Sequence, residues 1–195
     1  MSMCYILYAA SDESLSALFG TPELIHRFLG NPSPESKQRH GIFARLFRGK
    51  ADADTTTVEK ITPDFRTDIE PCHLDKSWHG LHYLFTGSDW EGEPPQSFLL
   101  NWGKEIGEID VGYGPARGLS SSQICAIYEF LETIDAMVLR KRFNTTKMEE
   151  LEIYPIYWTR DPEAEFAYLV EFLDPLKDFI RRIRQRKMGA VVQLA

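Results

Sequence analysis

Leu74-Asp75-Lys76-Ser77-Trp78-His79-Gly80-Leu81-His82-Tyr83-Leu84-Phe85-Thr86-Gly87 reads as one short amphipathic helix with its own start and stop. Asp75 stands where an N-cap belongs, with a carboxylate suited to the free N–H groups of a first turn. Gly87 stands where a left-handed stop belongs. Leu81, Leu84 and Phe85 fall on one face, with Trp78 leading into it. The spacing predicts a helix seated on the body of the protein. The segment also holds two of the five histidines of the chain, His79 and His82.

Working outward, strands are few and helices many. Cys4 to Ala9 reads as a short buried strand. Ser11-Asp12-Glu13 opens a helix to about Phe19, stopped by Gly20. Thr21-Pro22, cap and first helical residue, opens a second helix to Leu29, with Gly30 as its stop. Pro94-Pro95 precedes a short helix through Phe98-Leu99-Leu100. Lys104 to Val111 alternates as a strand does. Ser120 and Gln123 form an S-x-x-Q capping box before a helix from Ser121 to about Asp135. Helical stretches follow through Val138 to Phe143 and Lys147 to Leu151. Asp161-Pro162 starts the longest helix, Glu163 to Met188, which Pro175 kinks or splits. Gly189 closes it, and Ala190-Val191-Val192-Gln193-Leu194 is a last strand. This order predicts an α+β fold, with the two terminal strands paired in a small sheet covered by helices. Residues 31 to 70 are the least regular. Asn31-Pro32-Ser33-Pro34 and Ala51-Asp52-Ala53-Asp54-Thr55-Thr56-Thr57 predict a flexible excursion from a single domain spanning 1–195. The basic–apolar piece Arg39 to Arg48 between them is read as a short arm laid on the body.

Composition narrows the function classes. The chain has 195 residues, 43% hydrophobic and 26% charged, with a net charge of −7. An acidic chain lacks the basic surface on which nucleic-acid binding depends; it suits a basic protein partner, though solubility alone is the default reading of such a charge. No apolar run approaches a membrane span. Cys4, Cys72 and Cys125 are odd in number and far apart, which argues against a disulfide framework and for a reducing, cytoplasmic setting. The first ten residues lack the basic start and long apolar core of a signal peptide.

Three places nominate chemistry. On a helix Asp75, His79 and His82 lie at i, i+4 and i+7 and share nearly one face, with His73 just upstream. That suits an imidazole oriented by a carboxylate for acid–base work, or two imidazoles and a carboxylate on a metal. Structural packing competes, because a capping carboxylate is already engaged and no remote third ligand declares itself. The balance implies no metal and no cofactor. Second, Gly112-Tyr113-Gly114-Pro115-Ala116-Arg117-Gly118 reads as a loop between strand and helix. It misses the G-x-G-x-x-G spacing, yet Arg117 there suits a bidentate carboxylate or phosphate contact. Third, Glu152-Ile153-Tyr154-Pro155-Ile156-Tyr157-Trp158 is an aromatic turn that either lines an interface or caps the core. Lys76, Trp78, Tyr113, Arg117, Tyr154 and Trp158 are therefore the candidate binding residues. The basic run Arg181 to Lys187 complements the C-terminal end of its helix.

Three of these pieces, L-D-K-S-W-H-G-L-H at 74–82, G-Y-G-P-A-R at 112–117 and E-I-Y-P at 152–155, occur in an order that resembles the YfbM-like family of bacterial proteins, a family of unknown function. The resemblance runs from the first strand to the last and is weakest from about Pro32 to Glu70. It implies a small α+β protein of the bacterial cytoplasm, and it supplies no catalytic residues. Two functions stay open. One is a non-enzymatic binding or protein-interaction domain, with the immunity type that masks a toxin as one form of it. The other is a small enzyme or ligand-binding domain using His79 or His82 with Arg117 in one pocket.

Overall fold

The computed structural model describes residues 2–30 and 64–195. The strands are β1 (Tyr5–Ala10), β2 (Cys72–Asp75), β3 (Lys104–Asp110), β4 (Pro115–Leu119) and β5 (Gly189–Leu194). They form a five-stranded sheet in the order β2-β1-β5-β4-β3, every neighbouring pair antiparallel. The terminal strands pair as the sequence predicts, with Tyr5 opposite Leu194 and Ala10 opposite Gly189.

Both sheet faces are covered. Tyr5, Leu7, Ala9, Ala190 and Val192 point into one core, while Ala10, Ala116 and Val191 point into another. Strands buried on both faces read as continuous apolar runs rather than alternations, which is why Tyr5–Ala10 and Gly189–Leu194 are so apolar. Among the described residues, the smaller core is closed by α1 (Asp12–Gly20), a 3-10 turn (Pro22–Leu24) and α2 (Ile25–Phe28). The larger one takes residues from α3 (Ser77–Thr86), α4 (Ser121–Glu132), α5 (Ala136–Arg142), α6 (Thr145–Glu150), α7 (Pro162–Glu171) and α8 (Leu173–Gln185). This is the α+β class the sequence implies.

Several expectations need correction. Asp75 is not a helix cap: it is the last residue of β2, with φ 44°. Lys76 occupies the cap position of α3 and makes no side-chain cap bond; Ser77 Oγ instead donates to the Leu74 carbonyl at 2.6 Å. Nor is α3 amphipathic. Every residue from Ser77 to Phe85 is buried, so the apolar face is only the more obvious side of a helix enclosed all round. Gly80 is what permits this enclosure. A Cβ there would stand 2.7 Å from both the Leu169 side chain on α7 and the Trp158 ring. Gly87 does end the helix, at φ 80°.

The second expected helix opens as the 3-10 turn, because Thr21 makes no cap bond. Residues 94–101 form turns rather than a helix. Two carbonyls of this stretch and its end, Leu99 and Trp102, accept from the Arg117 guanidinium instead of from a helical N–H. The expected loop over 112–118 is half strand, since β4 starts at Pro115. A Pro is tolerated as the first residue of a strand, and pairing on both sides outweighs the weak strand preference of Pro-Ala-Arg-Gly-Leu. The long C-terminal helix is split at Phe172, three residues before Pro175. The Pro175 ring excludes the helical position of the Glu171 carbonyl and then sits harmlessly in the first turn of α8.

The excursion at 31–70 and the arm at Arg39–Arg48 lie outside the described residues up to position 63. Residues 64–70 form no helix or strand, although Ile69 is buried and Asp68 pairs with Arg186. The capping box holds as read: Ser120 Oγ accepts from the Gln123 N–H at 3.3 Å, and Gln123 Oε1 accepts from the Ser120 N–H at 2.9 Å. Ser120→Ala is expected to cost about 1 kcal/mol, read as a lower urea midpoint at unchanged slope.

Candidate functional site

The three residues read as one helical face part company. Asp75, turned away at the strand-to-helix corner, accepts from Tyr168 Oη at 3.0 Å and from the Cys4 thiol at 3.4 Å. His79 and His82 remain on α3 and are both buried. The Tyr154 N–H donates to His79 Nδ1 at 3.0 Å, so that nitrogen carries no proton. Nε2 then carries it and donates to the Asp89 carbonyl at 2.9 Å. Both ring nitrogens are spent, which leaves His79 neither a lone pair for a metal nor a proton to transfer. His82 Nε2 donates to the Glu91 carbonyl at 3.1 Å, and its Nδ1 is buried without a partner among the described residues. Burial pushes both pKa values down, that of His82 to about 4, so both rings are neutral at pH 7. Among the described residues no group of three or more His, Cys, Asp or Glu side chains is placed to hold a metal ion.

Arg117, expected on an open loop, lies on β4 and is half-buried. Its guanidinium donates to the Leu99 carbonyl at 2.6 Å and to the Trp102 carbonyl. It also stands beside Tyr5, whose phenol burial pushes up to about 12. It is occupied as a strut rather than offered to a ligand. A cavity of about 590 Å³ opens beside Tyr8, Phe28 and Phe65, and none of the candidate residues lines it.

What the histidines do build is a surface. Three consecutive carbonyls of the loop after α3 are each held by a side chain: Asp89 by His79, Trp90 by Asn101 and Glu91 by His82. The loop therefore has little freedom, and it presents Trp90 with 54% of its surface exposed. The Trp90 ring rests on His79 at 4.4 Å between centroids and lies 6.2 Å from Trp78. Trp78 stacks in turn on His79 at 4.9 Å and on Tyr154 at 6.0 Å. The aromatic turn thus joins the same stack through Tyr154. Trp158 is buried, donating from Nε1 to the Ile153 carbonyl at 2.7 Å, while Ile156 and Tyr157 project outward, exposed by 48% and 62%. Trp90 lies just beyond the 74–87 segment that the sequence nominates; its signal there is a lone Trp among Asp89, Glu91 and Glu93. Lys76 is half-buried beside Tyr168, and Tyr113 is exposed at the β3–β4 turn; neither belongs to this cluster.

Four of the five cations between Arg181 and Lys187 have partners among the described residues. Arg181 and Arg182 pair with Asp178, Arg186 with Asp68, and Arg184 lies over the Tyr128 ring at 4.3 Å.

The model of the family described as Domain of unknown function (DUF1877) matches residues 1–193. The chain belongs to this family. Protein YfbM of Escherichia coli strain K12 is 28% identical to this chain over 152 residues, which is 73% of this chain and 90% of YfbM. The crystal structure of YfbM from Escherichia coli, a protein of unknown function, superposes with a TM-score of 0.65 at 18% identity, covering 99% of each chain. That likeness carries the fold, and the DUF1877 description carries no activity.

Proposed function

We propose that the protein is a non-enzymatic binding domain that docks a basic protein partner on the surface around Trp90. The observation that carries this reading is an exposed indole on a loop whose carbonyls 89, 90 and 91 are all fixed from behind. Tryptophan is the side chain most often found at the energetic centre of an interface. Fixing it beforehand lowers the ordering cost of association. Ile156 and Tyr157 extend the apolar area, and Asp89, Glu91 and Glu93 give the loop an acidic character that suits a basic partner. Three free thiols support a reducing, cytoplasmic setting. No described helix is long and apolar enough to cross a membrane.

The test compares immobilised wild type with Trp90→Ala/Tyr157→Ala in capturing proteins from a bacterial lysate. Both side chains are more than half exposed, so the double variant is expected to fold, which its circular dichroism spectrum checks. Wild type is expected to retain a basic protein in stoichiometric amount, lost with the double variant and at high salt. Equal capture by the two proteins overturns the reading.

A further inference from the structure

We propose that the open face of Trp90 is a cation seat, receiving an arginine or lysine side chain of the partner. The inference rests on the protein-binding reading and specifies its chemistry.

Ring faces attract cations, and indole does so most strongly. This protein covers several of its own partly buried rings with its own cations. Lys104 lies over Phe19 at 4.7 Å, Arg140 over Phe166 at 4.7 Å, Arg184 over Tyr128 at 4.3 Å and Arg27 over Phe65 at 5.8 Å. Trp90 is exposed by 54% and has no such cover among the described residues. Its other side rests on His79, which the Tyr154 N–H and the Asp89 carbonyl hold as the neutral ring. The seat therefore meets no positive charge from below.

Negative charge lies beside it. Asp89 accepts from the Trp90 N–H at 2.8 Å and from Ser88 Oγ at 3.1 Å, which holds its carboxyl below the usual range. Glu91 and Glu93 are exposed, and neither forms an ion pair among the described residues. A guanidinium uses such a site better than an ammonium does, because its plane stacks on the indole while its edge donates two N–H groups to one carboxylate.

The test titrates the ¹⁵N-labelled protein with three capped peptides of alternating glycine and arginine, lysine or citrulline. Citrulline keeps the shape of arginine without its charge. The readouts are the Trp90 indole N–H and the amides of residues 88–93. The arginine peptide is expected to shift them and to bind more tightly than the lysine peptide. It should exceed the citrulline peptide by about tenfold or more. Trp90→Phe should keep most of the affinity and Trp90→Leu should lose about tenfold, while Glu91→Gln/Glu93→Gln should weaken binding several-fold, the spectra of all three reporting a native fold. Citrulline binding equal to arginine, or an unmoved Trp90 resonance under the arginine peptide, overturns the cation seat. Partner capture by Trp90→Leu separates the two readings. Capture lost while citrulline equals arginine leaves the docking surface standing without the cation seat. Capture intact while arginine still binds at Trp90 leaves the seat standing and removes the docking surface.

Discussion

Gly189→Ala is expected to lower the stability of the protein by about 3 kcal/mol, at the upper end of what overpacking costs. Gly189 opens β5, where the strand passes from its pairing with β1 to the end of β4. A Cβ there would stand 2.2 Å from the Leu119 carbonyl oxygen, 2.8 Å from Leu15 Cδ1 and 3.2 Å from the Ser120 carbonyl carbon. Two of these neighbours are backbone. Ser120 is also the cap of α4, so moving it away weakens the capping box. The strand cannot retreat either, because Ala10 on β1 holds the other side. For a chain of this size the loss corresponds to a fall in Tm of about 10 °C in a thermal melt. Gly20→Ala is the control. Gly20 has a negative φ and no atom within 4 Å of its added Cβ, so that variant is expected to melt within about 0.5 kcal/mol of wild type. A Gly189→Ala protein that melts with the control removes the close approach.

The features legible in the sequence were those that rest on local chemistry. Ser11, Ser120 and Gly87 sit at helix ends because their side chains or backbone freedom suit those ends, whatever packs outside. The terminal strands were legible because burial on both faces makes them nearly continuous apolar runs, Gln193 being the one polar interruption in β5. The features that were not legible depend on distant partners. β2 and β4 exist because β1, β3 and β5 supply their hydrogen bonds. The burial of α3 on every side depends on Trp158 and Leu169, some eighty residues away, closing over Gly80. The histidines show the limit most clearly. Their spacing was compatible with a metal, an acid–base pair or packing. What separates these readings is the Tyr154 N–H, 75 residues distant, which takes the last lone pair of His79.

That arrangement has a cost. A histidine held neutral in the interior gives stability that acid removes. His82 has its pKa pushed down by burial to about 4, from a usual value near 6.5, and His79 is shifted the same way. Between those values the unfolded chain binds protons that the folded chain does not, so stability falls as pH falls. The contribution is complete above pH 6.5, is lost progressively down to about pH 4, and changes no further below it. For His82 the loss amounts to about 3 kcal/mol, and His79 adds to it.

The groups facing these rings do not reverse the sign. The Asp89 and Glu91 carbonyls and the Asp89 charge favour the proton, but burial dominates, and the Arg117 charge also opposes protonation of His82. Most carboxylates shifted by their partners, among them Asp68, Asp89, Asp110 and Glu149, move downward, so their own losses come at lower pH. Urea unfolding from pH 7 to pH 4 is therefore expected to show a steep loss within the histidine window. His82→Gln separates this from general acid sensitivity, because the amide reaches the Glu91 carbonyl as Nε2 does and does not titrate. The variant should be less stable at pH 7 and lose about 3 kcal/mol less than wild type on going to pH 4. An identical loss in both proteins shows that His82 does not drive the acid transition.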